Sequence, residues 1–206
     1  MRLDHLLSEI GLYVKHSSRV KILDLALDSR QVNDGSLFIA IQGSNGHGLD
    51  YIDEAITNGA VAVLYDQWSE EIPIDIPALK VNKLRTQIGY LASIFFEHPC
   101  QDMHIIGVTG TNGKSSVVDF FHQIFTLNNK PAGLLGTLGF KKNNNLKKRK
   151  LTTLDSLNLH KDLEEMKKSK IDNVIIEASS HGLKQKRLDF LKIKTGIFTN
   201  LSHEHL

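Results

Sequence analysis

A single cysteine, Cys100, stands among the 206 residues, so no disulfide can form within the chain and a reducing compartment fits. No apolar run approaches the length of a membrane span. The first residues, Met1-Arg2-Leu3-Asp4-His5, carry acid early and lack the apolar core of a signal peptide, so a soluble, cytoplasmic protein is expected. Charge of one sign is missing too. The 25 basic and 23 acidic residues leave a formal net charge of +2, too small to point to nucleic acid by itself. Of the ten histidines no pair has a convincing zinc spacing, His203 and His205 being the nearest case. There is no internal repeat.

The composition that remains is that of a globular protein, 41% hydrophobic and 23% charged. The length suits one large domain or two small ones, enough to bury a sizeable core. Residues 3–10 read as a short helix, and the runs 22–27 and 37–41 as strands, with the turn-forming Asp28-Ser29-Arg30-Gln31-Val32-Asn33-Asp34-Gly35 between them. Residues 51–58 read as a helix closed by Gly59, followed by the buried strand Ala60-Val61-Ala62-Val63-Leu64. Leu84, Ile88, Leu91, Ala92 and Phe95 recur at helical spacing up to Glu97. Pro99 disfavours continuation, which places a domain boundary there and divides the chain into residues 1–98 and 99–206.

The second half alternates between the two periodicities. Strands are expected at 105–108, 132–140, 174–176 and 193–200, and helices at 115–128 and 157–169, with 141–150 a polar, basic loop. Such alternation predicts an α/β fold whose mainly parallel sheet is covered on both faces.

The chemistry centres on Val108-Thr109-Gly110-Thr111-Asn112-Gly113-Lys114-Ser115-Ser116, with an apolar strand before it and an amphipathic helix after it. This is a phosphate-binding loop in its proper context. Its glycines let consecutive N–H groups face one anion, and the helix adds the positive end of its dipole. Lys114 can reach the outer phosphates of ATP, and the Ser115 hydroxyl can ligate a magnesium ion. The first glycine stands at 110 and not at 108, a compact variant of the loop. An acid at the end of a neighbouring strand completes such a site, and Glu177, after Val174-Ile175-Ile176, fits.

Taken together, these motifs resemble the Mur ligases, and among them the UDP-N-acetylmuramoyl-tripeptide synthetase type, over nearly the whole chain. Gly110, Thr111, Asn112, Gly113, Lys114, Ser115 and Ser116 resemble that family's ATP loop, which more often carries threonines at the last two positions. Asp28-Ser29-Arg30 and Gly35-Ser36-Leu37-Phe38-Ile39-Ala40 resemble signatures shared by two of its members. His47-Gly48 stands where the family usually has Asp-Gly. Glu177-Ala178-Ser179-Ser180-His181-Gly182-Leu183, with Gln185 and Arg187 beyond, resembles the block that separates the tripeptide synthetases from sister ligases.

The resemblance implies a small N-terminal α/β domain that binds a UDP-substrate, then a P-loop ATPase domain that is incomplete at its C-terminal end. It implies that Leu27, Ser29, Ser44, Asn45 and Gly46 hold uridine diphosphate. Thr152, Thr153, Ser179, Gln185 and Arg187 would contact the muramoyl-dipeptide, arginine suiting a carboxylate through its two parallel donors. Glu177 would be a magnesium ligand, and His205, in Glu204-His205 where Asp-His is more usual, would help bind a second magnesium ion. The implied catalytic set is Lys114, Glu177 and His205. The reaction would join meso-diaminopimelate or lysine to UDP-N-acetylmuramoyl-alanyl-glutamate at the cost of ATP, through an acyl phosphate. Leu206 falls inside a family block, so the chain by itself is expected to be inactive or nearly so.

Three other readings compete. A ligase of the folate polyglutamate type shares the ATP loop, but the blocks at 28–30 and 179–183 argue against it. A non-catalytic module that binds UDP-sugar and ATP is the second. The basic run 141–150 is the third, but it lacks the interleaved aromatics of a nucleic-acid surface and reads as a solvated connection. His181 reads as structural or hydrogen-bonding, Tyr65 and Trp68 as packing residues, and Cys100 as a small buried or linker residue. Nothing fixes the oligomeric state, and a monomer is the expectation.

Overall fold

The computed structural model describes residues 1–13, 19–43, 46–68, 72–142, 145–147 and 153–202. Among these the chain divides into two units, Met1–Phe95 and Phe96–Leu206.

In the first unit, strands β1 (Asp24–Ala26), β2 (Ser36–Ala40), β3 (Ala60–Tyr65) and β4 (Ala78–Lys80) pair in that order, all parallel. β2 is buried at every position, as an apolar run inside a parallel sheet must be. Side chains alternate across a strand. Phe38 and Ala40 therefore share a face with Val63 of β3, in a core with Ala55 of helix α2 (Ile52–Thr57). Trp68 and Tyr65 pack against the same cluster, as packing residues should. Helices α1 (Leu3–Ser8) and α3 (Leu84–Phe95) bury Leu3, Leu6 and Leu7 and Leu84, Ile88 and Leu91 respectively.

The second unit is a six-stranded sheet in the order β10-β5-β9-β6-β7-β8. Its members are β5 (His104–Thr109), β6 (Ala132–Gly136), β7 (Gly139–Lys142), β8 (Asn145–Lys147), β9 (Asn173–Glu177) and β10 (Ile193–Phe198). The first four in spatial order are parallel, and the last two are antiparallel additions. Alternation splits the core in two. Ile105, Leu135, Val174 and Ile176 meet Leu159, Leu163 and Met166 of helix α5 (Ser156–Lys168). Ile106, Val108, Leu134 and Ile175 meet Val118 of helix α4 (Lys114–Leu127), with Val117, Phe121 and Phe125 packed alongside. Helices thus cover both faces, as the alternating pattern predicts. A last short helix, α6 (Ser180–Lys184), follows β9.

Two expectations are corrected. The run 132–140 is not one strand. It turns at Thr137-Leu138 and pairs back on itself, Gly136 opposite Gly139, as the β6–β7 hairpin. The basic run 141–150 is not simply a loop, because its first part continues β7 and residues 145–147 form β8. A strand gains a ladder of backbone hydrogen bonds whatever its side chains, so lysines and asparagines are tolerated on an edge. No helix among the described residues is long and apolar enough to cross a membrane.

Candidate functional site

The C-terminal ends of adjacent parallel strands are where α/β sheets collect ligands. β5 and β9 are such a pair, and their register sets Val108 opposite Glu177. Beyond β5 the chain passes through Gly110-Thr111-Asn112-Gly113 into α4, with Gly113 as the N-cap residue in the left-handed conformation at φ +82°. Gly110, at φ +134°, lies against the segment after β10. A Cβ there would come within 2.2 Å of Thr199 Oγ1 and 2.9 Å of the Asn200 carbonyl oxygen, so only glycine fits. The loop is pinned from the same side. Thr111 N–H donates to the Asn200 carbonyl at 2.9 Å, and Asn112 N–H to Asn200 Oδ1 at 3.0 Å.

These elements wall a cleft of about 850 Å³, lined by residues 109–115 together with Thr137, Glu177, Ser179, His181 and Phe198. Lys114 and Glu177, sixty-odd residues apart in sequence, therefore face one space. Lys114 Nζ donates to the carbonyls of Gly110 at 2.7 Å and Thr111 at 2.8 Å, so its ammonium sits folded over the loop that its own helix follows. Ser115 lines the same cleft, while Ser116 lies exposed on α4 outside the lining.

Glu177 is fully buried, a position a carboxylate holds only when hydrogen bonds meet it. Thr137 supplies two. Its N–H donates to Oε1 at 3.0 Å and its hydroxyl to Oε2 at 2.9 Å. Gly136 makes room, since a Cβ there would fall 2.4 Å from Oε1. Thr137 is the residue that sequence reasoning missed. It sits at a hairpin turn 40 positions upstream, and only the β6–β9 pairing brings it to the carboxylate.

The remaining implied contacts fall into two groups. Ser179 lines the cleft, where its hydroxyl caps α6 by accepting from Gly182 N–H at 3.0 Å. Thr153 is buried beneath it. Its Oγ1 donates to the Glu177 carbonyl at 2.9 Å, lies 3.0 Å from Ser179 Oγ and accepts from Ser179 N–H at 3.0 Å. Gln185 and Arg187 do not line the cleft. Arg187 Nε and Nη2 donate to Gln185 Oε1 at 2.9 and 2.6 Å, and Nη1 donates to the Thr153 carbonyl. His181 is exposed in the wall of the cleft. Thr152, Glu204 and His205 lie outside the described residues.

The first unit has its own cleft, of about 710 Å³, lined by Leu27, Asp28, Ser29, Arg30, Gly46, Tyr51 and Glu54 among others. It brings Leu27, Ser29 and Gly46 together, and Ser44 and Asn45 lie outside the described residues. Arg30 grips Asp28 through two bonds, Nε–Oδ1 at 2.9 Å and Nη2–Oδ2 at 2.6 Å. That pair holds the Asp28 carboxyl below its ordinary range. His47 holds its turn through a reciprocal pair of bonds. His47 Nδ1 accepts from Leu49 N–H at 3.1 Å, and Asp50 Oδ2 accepts from His47 N–H at 2.8 Å, a reciprocal cap. With Nδ1 accepting, the ring proton sits on Nε2, 3.2 Å from Asp66 Oδ1.

A glycine-rich turn from strand to helix at the carboxyl edge of a parallel sheet, preceded by a smaller parallel-sheet unit, is the architecture of an α/β protein of the P-loop type. Comparison with known proteins narrows that class. The Mur ligase middle domain matches residues 108–206, and the family described as Mur ligase family, catalytic domain, matches residues 21–95. The chain is 37% identical over 207 aligned residues to the UDP-N-acetylmuramoyl-L-alanyl-D-glutamate--2,6-diaminopimelate ligase of Xanthomonas campestris pv. campestris, covering 100% of this chain and 41% of that protein. The enzymes of the same name from Pseudomonas putida and Geobacillus kaustophilus are 38% and 35% identical, over 93% and 100% of this chain and 39% and 42% of theirs. A solved structure of such a ligase superimposes with a TM-score of 0.82 at 28% identity, over 100% of this chain and 42% of its own. The chain belongs to the Mur ligase family, and it spans about two-fifths of the length of the relatives it matches.

Proposed function

We propose that this chain supplies the nucleotide-handling part of an ATP-dependent ligase that adds diaminopimelate to UDP-N-acetylmuramoyl-alanyl-glutamate in peptidoglycan precursor synthesis. The observation that carries the reading is the single cleft shared by Lys114, Ser115 and Glu177 at the ends of β5 and β9. The names of the relatives at 35–38% identity favour diaminopimelate over lysine. In this reading residues 1–98 bind the uridine diphosphate end of the acceptor, and residues 99–206 bind ATP.

The residues present fit a magnesium ion. Ser115 and Glu177 offer hard oxygen donors in the same cleft, and a magnesium ion on an ATP site takes only one or two protein oxygens beside phosphates and water. Each Glu177 oxygen accepts one bond from Thr137 and keeps a lone pair for the ion. When bound, the ion would neutralise charge on the outer phosphates. His205, outside the described residues, is proposed for a second ion.

The loop amides and the start of α4 cradle the phosphates, as the N-terminus of a helix does for anions. Lys114 exchanges its two carbonyl partners for phosphate oxygens and meets the charge that develops on the transferred group. The acceptor's carboxylate attacks the γ-phosphorus, ADP leaves, and an acyl phosphate forms. The amine then attacks the acyl carbon, phosphate leaves, and the amine's proton passes to base. No side chain is required as a covalent nucleophile, so positioning does most of the work. Ser179, at the mouth of α6, and the Gln185–Arg187 pair are proposed to hold the peptide, the pair after giving up its internal bonds.

The test is a calorimetric titration of this chain with ADP and magnesium. Binding is expected for the unaltered chain, with at least a tenfold loss for Lys114→Ala. If Lys114→Ala bound ADP as tightly as the unaltered chain, the cleft would not be the ATP site.

A further inference from the structure

The cleft of the first unit contains a hydrogen bond whose direction is forced. Ser29 Oγ lies against Glu54 Oε2. An ionised carboxylate only accepts, so the serine must donate its one proton to it. Ser29 is buried and held twice, by Glu54 of α2 and by Asn58, the residue that caps that helix, whose Nδ2 donates to the Ser29 carbonyl at 3.0 Å. What Ser29 Oγ still has to offer the cleft is therefore lone pairs alone. Glu54 adds a second acceptor on the same wall, and the Arg30 guanidinium beside it gives two of its five N–H groups to Asp28.

A hydroxyl turned this way has no proton to give a phosphate oxygen, which needs a donor. It suits a neutral donor, a nucleoside hydroxyl or a base imide N–H. We infer that Glu54 is a specificity-determining residue. It orients the Ser29 hydroxyl as an acceptor, so that this corner reads the donor groups of uridine and leaves the diphosphate to the rest of the cleft. The inference rests on the reading of this cleft as the uridine diphosphate site, and deepens it by assigning which end of the nucleotide meets Ser29.

Three ligands test it by calorimetry on the full chain: UDP, its analogue methylated at the base imide nitrogen, and its dideoxyribose analogue. Each analogue lacks one source of the donor, so the one that binds weaker names the group Ser29 meets. At least one is expected to bind the unaltered chain fivefold or more weakly than UDP. In Glu54→Lys a donor-only ammonium turns the serine proton toward the ligand. There, and in Ser29→Ala, the same affinity ratio is expected to fall below twofold. A ratio of affinities within one variant is unaffected by partial misfolding, which scales all three ligands alike. Equal binding of all three by the unaltered chain would overturn the inference while leaving the site in place. So would a ratio that survives in both variants. Failure of UDP itself to bind would remove the site, and the inference with it.

Discussion

Replacing Gly110 with alanine sets a Cβ 2.2 Å from Thr199 Oγ1 at a φ of +134°, with the Asn200 backbone close behind. Strain of about 1–3 kcal/mol is expected from the dihedral alone. The urea midpoint should fall, and ADP affinity should fall with it, because the loop can relieve the clash only by leaving the Asn200 contacts that hold its amides. An unchanged midpoint would show that the loop has slack. His47 gives a sharper residue-level test. Aspartate could still accept from Leu49 N–H, yet it would face the carboxylate of Asp66, which His47 Nε2 now meets at 3.2 Å. His47→Asp should therefore destabilise the chain by about 1 kcal/mol or more, the scale of a lost cap or an uncompensated like-charge pair. Adding Asp66→Asn should recover most of that loss in urea melts. No recovery would mean that ring packing against Trp68, not the charge, decides the position. At this scale the site was partly legible. The phosphate loop is contiguous and stands between a strand and a helix, and Glu177 ends an apolar run. Thr137 was illegible because nothing near it in sequence hints at a carboxylate, and the contact exists only through strand pairing.

Elements were legible where periodicity is long and illegible where it is short. Helices α3, α4 and α5 each show enough turns to expose their apolar stripe, and their observed bounds lie within two residues of expectation. The three-residue β4 and the five-residue α6 are too short to carry a period. The β6–β7 turn at Thr137-Leu138 lacks the Asn-Gly or Asp-Gly signal that marks a hairpin, so nothing local in the sequence marks the break. Two helices also carry a buried histidine each, His122 on α4 and His160 on α5. Burial is the leading cause that pushes both imidazoles below their ordinary value of 6.5, His160 against the opposing pull of the Ser156 carbonyl. The unfolded chain thus binds protons more readily than the folded one. Their contribution to stability is complete above about pH 6.5 and is lost as the pH falls below it, toward the folded-state values. The urea midpoint should drop on acidification through that window. His160→Leu should flatten the drop, and an identical slope would exclude His160 as its source. The outer stripe of α4 invites a further measurement. Phe120, Ile124 and Leu127 recur at helical spacing and are exposed. Fluorescence of a dye that binds apolar surface should fall in the Phe120→Lys, Ile124→Lys double variant, with the melting midpoint changed little, since exposed substitutions usually stay within about 0.5 kcal/mol.

Each of the two units has its own apolar core, around Phe38, Ala55 and Val63 in the first and on both faces of the second sheet. A core of its own is what lets a stretch of about a hundred residues fold alone. Each unit also has its own cleft, and no residue lines both. A chain ending at Phe95 should therefore unfold cooperatively and respond to UDP. A ligand that binds only the folded state at about a hundred times its dissociation constant adds about 2.7 kcal/mol. For a domain of this size that is a rise of roughly 11–22 °C in melting midpoint, at about 4–8 °C per kcal/mol. The piece from Phe96 onward should show no shift with UDP and a comparable one with ADP and magnesium. Cross-response, UDP shifting the second piece or ADP the first, would mean that the clefts have been assigned to the wrong nucleotides. A first piece that melts without a cooperative transition would mean that its core, although buried in the chain, is not sufficient to specify the fold. That result would move the source of its stability to residues beyond Phe95, and with it the place where the two functions of the chain divide.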